Sequence, residues 1–152
     1  MSDFMEQAPN QDQSTERVDA WEALLAARRE LLDEAGGYFT SEEIARALGC
    51  RSDSFSLRIA DARKRDEVLG VAYLGRWCHP RFQFRVNSDF QPYPEMRPIL
   101  QALTPDHRGW DRLHWFLTRH PLLEGRTPLE VWQEGRQKVV EAARRERWDG
   151  HD

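Results

Sequence analysis

The sequence predicts a mainly α-helical fold, in which a winged helix-turn-helix lobe with a small β-hairpin is followed by a helical carboxy-terminal lobe. Three observations lead to this prediction. Helix-start signals of the form S/T-x-x-E stand at Thr40 and Thr127, each at the start of a helical pattern. Gly49 separates two short helical patterns. Two short β-prone runs then flank Leu74 and Gly75, which is the pattern of a hairpin.

Composition bounds the class of protein. The chain has 152 residues, which corresponds to one or two small domains, here expected as two lobes that share a core. Its formal net charge is −4, so overall charge does not make it a nucleic-acid-binding polycation. Its two cysteines, Cys50 and Cys78, give no disulfide framework or zinc ribbon and fit a reducing cytoplasm. Neither an export signal nor a membrane-spanning apolar run is predicted.

The amino-terminal region is expected to contain a tail and one long helix. Residues 1–14 are predicted to be disordered, because Gln, Asn, Asp and Ser dominate there without apolar periodicity. The helix-turn-helix lobe is assigned to residues 15–88 and opens with an amphipathic helix that Gly36 and Gly37 end. The apolar residues of this helix recur at helical spacing: Val18, Trp21, Leu24, Leu25, Leu31 and Leu32.

The next pair of helices is the best-marked segment of the chain. Thr40–Glu43 forms a capping box, and Phe39–Ile44 is placed as a hydrophobic staple. Gly49 suits the left-handed conformation of a helix C-cap, and Ser52 or Asp53 is expected to cap the second helix. Short helix, glycine turn and second helix make a helix-turn-helix. The core-facing positions of the second helix are Phe55, Ile59 and Ala62.

A wing and a second lobe complete the prediction. The β-prone runs at residues 68–73 and 76–79 form the wing, which Pro80 closes. Three prolines within residues 89–98 mark the boundary before a helical lobe at residues 92–148. The helical segments predicted in that lobe are residues 94–103, residues 110–118, a helix that starts at Thr127-Pro128, and residues 136–147.

The solvent side of the second helix of the motif is a candidate DNA surface. Arginine can pair with guanine or with phosphate, and serine can donate to either. The same face carries Asp53 and Asp61, so a helix-turn-helix used only for packing or dimerisation is the alternative. The predicted DNA-binding residues are Arg51, Ser54, Ser56, Arg58, Arg63 and Lys64, with Arg76 and also Arg81 from the wing.

No pattern of an enzyme or of a metal site stands out. Cys78 and His79 are adjacent on a predicted strand, where neighbouring side chains point to opposite faces and cannot form a nucleophile–base pair. His107, His114 and His120 have no carboxylate or cysteine at a spacing that completes a metal site. We therefore expect no catalytic residues, no metal and no cofactor.

The tryptophans of the second lobe have two possible roles. Trp110 and Trp132 are expected in the core. Trp115 lies off the face that Leu113 and Phe116 share, which makes it a candidate for an exposed aromatic anchor in a partner interface. Burial of Trp115 is the alternative.

Two segments carry a family resemblance. Residues 122–130 read Leu-Leu-Glu-Gly-Arg-Thr-Pro-Leu-Glu, follow the helical pattern at 110–118 and precede Gly135. This loop resembles the L-x-G-[RST]-[ST]-P-L-E segment in the toxin-binding carboxy-terminal domain of the Xre/MbcA/ParS antitoxin family. Residues 39–45 and the segments Gly75-Arg76-Trp77 and 80–84 look like the winged helix-turn-helix that precedes this domain in a subgroup of such proteins. The resemblance covers about residues 38–143.

The resemblance implies a function. Such a protein would bind and neutralise a cognate toxin, often of the NAD-degrading RES type, would repress the shared operon, and would form a homodimer. Arg126 would then anchor an acidic group of the partner or brace the loop against Glu130. The first lobe departs from Xre-type antitoxins, whose DNA-binding domain is longer and helical. The residues expected to contact the partner are Trp115, Arg126, Thr127 and Trp132.

Three functions remain open from the sequence. The first is an antitoxin-like protein that binds a toxin through its second lobe and operator DNA through its first. The second is a stand-alone transcription regulator whose second lobe dimerises. The third is a protein-only adaptor, suggested by the acidic balance and the tryptophans, which predicts no DNA binding even at low salt.

Overall fold

A computed structural model describes residues 11–149 of the chain, and that range is mainly helical with one small antiparallel sheet. This architecture confirms the predicted mainly α-helical fold with a small β-hairpin. None of the described helices is long and apolar enough to cross a membrane. The elements, in chain order, are α1 (Gln11–Glu34), β1 (Tyr38–Thr40), α2 (Ser41–Leu48), α3 (Ser52–Lys64), β2 (Val71–Tyr73), β3 (Arg76–Pro80), α4 (Met96–Ala102), α5 (Trp110–Phe116), α6 (Pro128–Val131) and α7 (Arg136–Asp149).

The chain divides into two compact units, Met1–Glu30 and Leu31–Asp152. In the first unit, α1 begins at Gln11, so the last four residues of the predicted disordered tail are helical. The reason is that no proline or glycine interrupts the sequence between residues 10 and 35, and Gln, Glu and Arg are good helix formers. The rest of the predicted tail, residues 1–10, lies outside the described residues.

The first helix of the motif begins and ends where its capping residues predict. The Thr40 hydroxyl accepts from the backbone N–H of Glu43, and the Glu43 carboxylate accepts from the backbone N–H of Thr40, both at 3.1 Å. Gly49 ends α2 with φ +69, the left-handed conformation. The predicted cap of α3 is wrong, because Arg51 is the N-cap residue and makes no side-chain capping bond. Residue 52 is already the first residue of that helix.

The sheet has one strand more than predicted. β3 lies in the middle, antiparallel to β2 and to β1, with Phe39 opposite His79. The β2–β3 turn is the predicted one: Leu74 (φ +51) and Gly75 (φ +75) both adopt left-handed conformations. β1 escaped prediction because three residues are too short for a periodic signal, and only pairing with β3 makes them a strand.

A shared apolar core joins the two predicted lobes within the unit that starts at Leu31. It combines residues that precede the predicted boundary with buried residues of α4, α5 and α7. A smaller apolar cluster lies between α2 and α3. Members of the shared core include Leu32, Leu69, Val71, Cys78, Met96, Leu113, Phe116, Trp132 and Val139, and the smaller cluster contains Ile44, Ala45, Phe55, Ile59, Val68 and Phe84.

Specific contacts attach the carboxy-terminal helices to the sheet side of the core. The indole N–H of Trp110 donates to the Ala72 carbonyl at 3.0 Å, and that of Trp132 donates to the Phe82 carbonyl at 2.9 Å. Gly109 approaches so closely that a Cβ there would lie 1.9 Å from the carbonyl oxygen of Gly70. These contacts fix the start of α5 against the strand β2. Glycine is required at position 109 for two reasons: the Gly70 carbonyl leaves no room for a Cβ, and φ is +80.

The helix starts predicted for the second lobe are also present. Thr127 is the N-cap of α6, where its hydroxyl accepts from the backbone N–H of Glu130 at 3.1 Å. Pro128 occupies the first helical position. The last helix, α7, packs against α4 and α6 and buries Val139, Val140 and Ala143.

Candidate nucleic-acid interface and helical groove

The outer face of α3 is polar and mostly positive. Phe55 and Ile59 hold the helix against α2, and the opposite side of α3 is left exposed. The predicted residues Arg51, Ser54, Ser56, Arg58 and Lys64 are all exposed. Two carboxylates, Asp53 and Asp61, lie among them, while Arg65 adds a further cation at the end of the helix. This stretch therefore carries four exposed cations and two exposed carboxylates.

Arg58 is held near the turn of the motif. One of its guanidinium nitrogens lies 3.2 Å from the sulfur of Cys50, and its guanidinium carbon lies 5.8 Å from the ring centre of Phe55. Both contacts leave the side chain exposed. The Arg58 side chain therefore lies along the exposed surface of α3 near the turn, where a ligand can reach it.

Sequence reasoning overlooked Leu57. Its side chain is 72% exposed and lies on the same side of α3 as Ser54 and Asp61. The sequence did indicate this exposure, because Leu57 does not fit the apolar spacing that Phe55 and Ile59 define. An exposed leucine on a polar helix can make apolar contact with a thymine methyl group in a major groove.

Arg63 does not have the role predicted for it. It was expected to contact DNA, but it is half-buried and one guanidinium nitrogen lies 3.1 Å from Nε2 of His79. The guanidinium carbon also lies 4.2 Å from the ring centre of Trp77. Burial lowers the pKa of Arg63. The side chain is therefore committed to internal contacts between α3 and β3, which helical spacing alone could not indicate.

His79 is the buried centre of this arrangement. It is fully buried, and its Nδ1 lies 3.2 Å from the Phe39 carbonyl oxygen. Nδ1 therefore carries the proton and donates to that carbonyl, and Nε2 accepts from Arg63. Burial and the nearby Arg63 charge lower the pKa of His79 to about 4, so the ring is neutral at pH 7. Burial raises the pKa of the neighbouring Cys78 thiol to about 11.

The wing is short, and both arginines predicted from it are exposed. Arg76, the first residue of β3, is exposed next to the exposed turn residue Leu74. Arg81 is exposed as well, with its guanidinium carbon 4.4 Å from the ring centre of Phe39. The wing therefore adds two cations to those of α3.

In the carboxy-terminal half, the prediction of an exposed Trp115 is wrong. Its side chain is only 7% exposed, and its indole N–H donates to the Glu146 carboxylate of α7. Its ring packs edge-on against Phe116 and lies 5.0 Å from the ring of His120. The face of α5 that appeared free in the sequence is covered by residues distant along the chain, which a periodicity within one helix does not reveal.

Trp132 has no exposed surface for a partner to contact. The core position expected for it is confirmed, because its exposure is 0% and its ring packs against Phe82, Tyr93 and Phe116. The prediction that Trp132 contacts a partner is therefore wrong, because its side chain packs inside the core.

Arg126 and Thr127 shape the loop before α6. Arg126 lies 3.2 Å from the Glu134 carboxylate and donates to the Glu130 carbonyl at 3.1 Å. The contact with Arg126 lowers the pKa of Glu134. Thr127 caps α6. Of the two roles considered for Arg126, bracing of the loop is thus present in the structure, although its side chain stays 42% exposed.

This loop borders an open groove of about 340 Å³ that the sequence did not predict. One wall is the loop, with the exposed Leu122, and the other is the outer side of α7. The charged side chains along it alternate in sign: Glu124, Arg126, Glu134, Lys138, Glu141 and Arg145. A groove with one exposed leucine and paired charges suits a polar protein segment better than an apolar small molecule.

Within residues 11–149, no group of three or more His, Cys, Asp or Glu side chains is arranged to hold a metal ion. Comparisons with protein-family models, with curated proteins and with solved structures each gave no match. The candidate sites therefore rest on the geometry of this chain alone.

Proposed function

We propose that this protein binds double-stranded DNA, with α3 in the major groove and the β2–β3 wing against the adjacent backbone. The observation that carries the proposal is the element order of helix, strand, helix, glycine turn, helix and hairpin, with the polar and basic side of α3 exposed. In helix-turn-helix proteins the second helix of the motif lies in the major groove.

The dimensions and chemistry of α3 suit this role. Its 13 residues give a length of about 20 Å, and a single helix fits a groove about 12 Å wide. Arg58 can pair with guanine or with phosphate, and Ser54 can donate to either. Arg51 and Lys64 lie near the two ends of the helix, where phosphates flank the groove.

Because the net charge is −4, DNA binding would depend on a local group of cations. Binding of this kind is sensitive to salt. Only the cations of α3 and the wing would neutralise phosphates, so a small number of counterions is released. Affinity should fall as salt rises, with a slope set by those few contacts.

A direct test compares two arginine variants by fluorescence anisotropy on a duplex from upstream of the protein's own gene. Arg58→Ala should weaken binding by about 1–3 kcal/mol, or about 5- to 150-fold. Arg97→Ala is the matched control, because Arg97 is an exposed arginine on α4, outside the helix-turn-helix and the wing. Equal affinities for the two variants, or no binding by the unaltered protein at about 50 mM salt, would refute the proposal.

The groove supports a second candidate function, an antitoxin-like protein whose helical part binds a cognate toxin, in line with the RES-type partner that the loop resemblance implies. The supporting observation is that the resembling loop, residues 122–130, borders the open groove along α7. Leu122, at 44% exposed, is the apolar residue that a partner would cover.

Affinity purification from the native locus tests this function. A stoichiometric small protein should co-purify, and Leu122→Glu should abolish its capture without changing the thermal midpoint. Leu74→Glu is the matched control, since it makes the same change at an exposed leucine on the wing, away from the groove. If both variants retain the partner, the groove is not its binding site, and if nothing co-purifies the antitoxin function is rejected.

A further inference from the structure

The first unit of the chain presents an apolar stripe along α1. Val18 is 54% exposed, Trp21 is 52% exposed and Leu24 is 41% exposed, and Leu25 lies half-buried beside them. At 100° per residue these four side chains fall within about a third of the helix circumference. The alanines of the same segment, such as Ala20 and Ala23, lie outside the stripe. An exposed apolar patch of this kind is typical of a protein–protein interface.

Three residues of the stripe fit one heptad frame. With Val18 and Leu25 at a and Trp21 at d, Arg17 and Leu24 fall at g and Glu22 falls at e. The apolar seam ends after Leu25, because the next d position is Arg28. In a parallel helix pair, a g residue lies opposite the e residue five positions later in the partner helix. Arg17 of each copy would therefore meet Glu22 of the other, twice by symmetry. Neither residue takes part in the ion pairs formed among the described side chains.

We propose that α1 pairs in parallel with α1 of a second copy of this chain, with Val18, Trp21 and Leu25 in the seam. The inference goes beyond DNA or toxin binding and requires neither ligand. It assigns the self-association surface to the amino-terminal helix rather than to the second lobe.

The charges favour a parallel pair over the antiparallel pair that sets Trp21 opposite Leu25. That antiparallel register places Glu22 against Glu22 of the second copy, which is repulsive. The parallel pair is the arrangement in which the charges at e and g attract.

The seam is short, so self-association should depend on concentration. Sedimentation equilibrium of the full chain over a range of concentrations should give a monomer–dimer equilibrium. Trp21→Glu should raise the dimer dissociation constant by about tenfold or more, because it places a charge in the seam. Ala23→Glu is the control, since it adds the same charge at an exposed position on the opposite side of the helix and should leave the constant unchanged.

A charge exchange tests the orientation. Glu22→Arg should weaken the dimer several-fold by facing Arg17 with a like charge, and the double variant Arg17→Glu/Glu22→Arg should restore the original constant to within about twofold. A monomer at all concentrations, or a dimer that Trp21→Glu leaves intact, overturns the proposal. Absence of rescue in the double variant overturns the parallel arrangement. DNA affinity is measured separately on the same variants, so a loss of self-association is distinguished from a loss of DNA binding.

Discussion

Nη1 of Arg63 lies 3.1 Å from Nε2 of His79, which connects the last turn of α3 to the central strand of the sheet. Because Nδ1 of the same ring donates to the Phe39 carbonyl, one buried imidazole joins α3, β3 and β1. The guanidinium carbon of Arg63 also lies 4.2 Å from the ring centre of Trp77. Polar contacts within the protein therefore help to hold the proposed DNA-reading helix against the sheet.

Arg63→Ala should act through the fold rather than through a lost DNA contact. Removing the guanidinium leaves Nε2 of His79 without its donor and Trp77 without its cation, at a cost of about 1–3 kcal/mol. Urea unfolding measures this loss. Arg63→Lys should recover little of it, because an ammonium group does not stack on the indole as a guanidinium does. Unchanged stability combined with weaker DNA binding would instead show that Arg63 contacts DNA directly.

Stability should depend on pH through His79. The folded pKa is about 4 and the ordinary value is near 6.5, so between these values the unfolded chain binds a proton that the folded chain does not. The contribution of His79 is complete above pH 6.5 and declines as the pH falls to 4, by about 3 kcal/mol at most. Urea unfolding from pH 4.5 to 7.5 measures the decline. His79→Gln should flatten that part of the profile, and an unaltered slope in this variant would contradict the assignment.

The elements with local causes were predictable from the sequence. The Thr40 and Thr127 caps, the Gly49 turn and the Leu74-Gly75 turn each depend on residues within a few positions of one another. β1 was not predictable in this way, because its cause is pairing with a strand about forty residues later. The mainly helical fold class needed only the local signals.

The candidate sites were less predictable for the same physical reason. Helical spacing correctly assigned Arg58 and Ser54 to the outer side of α3, since that side follows from the buried positions of the same helix. It failed for Arg63 and Trp115, which are covered by residues far along the chain. A side chain's exposure within its own helix does not determine its exposure in the folded protein.

Gly109→Ala should be strongly destabilising. A Cβ at this position would lie 1.9 Å from the Gly70 carbonyl oxygen, so α5 or the start of β2 must move in addition to the strain of a positive φ. We expect a loss of about 2–4 kcal/mol in the free energy of unfolding. Gly36→Ala is the matched control: its φ is also positive, at +92, but its Cβ would meet nothing within 4 Å, so it should cost only about 1–2 kcal/mol. Equal losses in the two variants would show that the close approach to Gly70 contributes nothing.

Two substitutions of Trp115 separate a packing role from a partner contact. Trp115→Ala should cost about 3–5 kcal/mol, because it removes a buried ring that packs on Phe116 and His120. Trp115→Phe keeps most of the packing and removes only the N–H that donates to Glu146, a carboxylate that water can still solvate because Glu146 is exposed. Thermal unfolding and partner capture are measured on the same preparations. Trp115→Phe should retain the partner, and Trp115→Ala should lose it only in proportion to the unfolded fraction. Loss of capture by a fully folded Trp115→Phe variant would mean that the ring turns outward on binding, and the interface would then extend from the groove to α5.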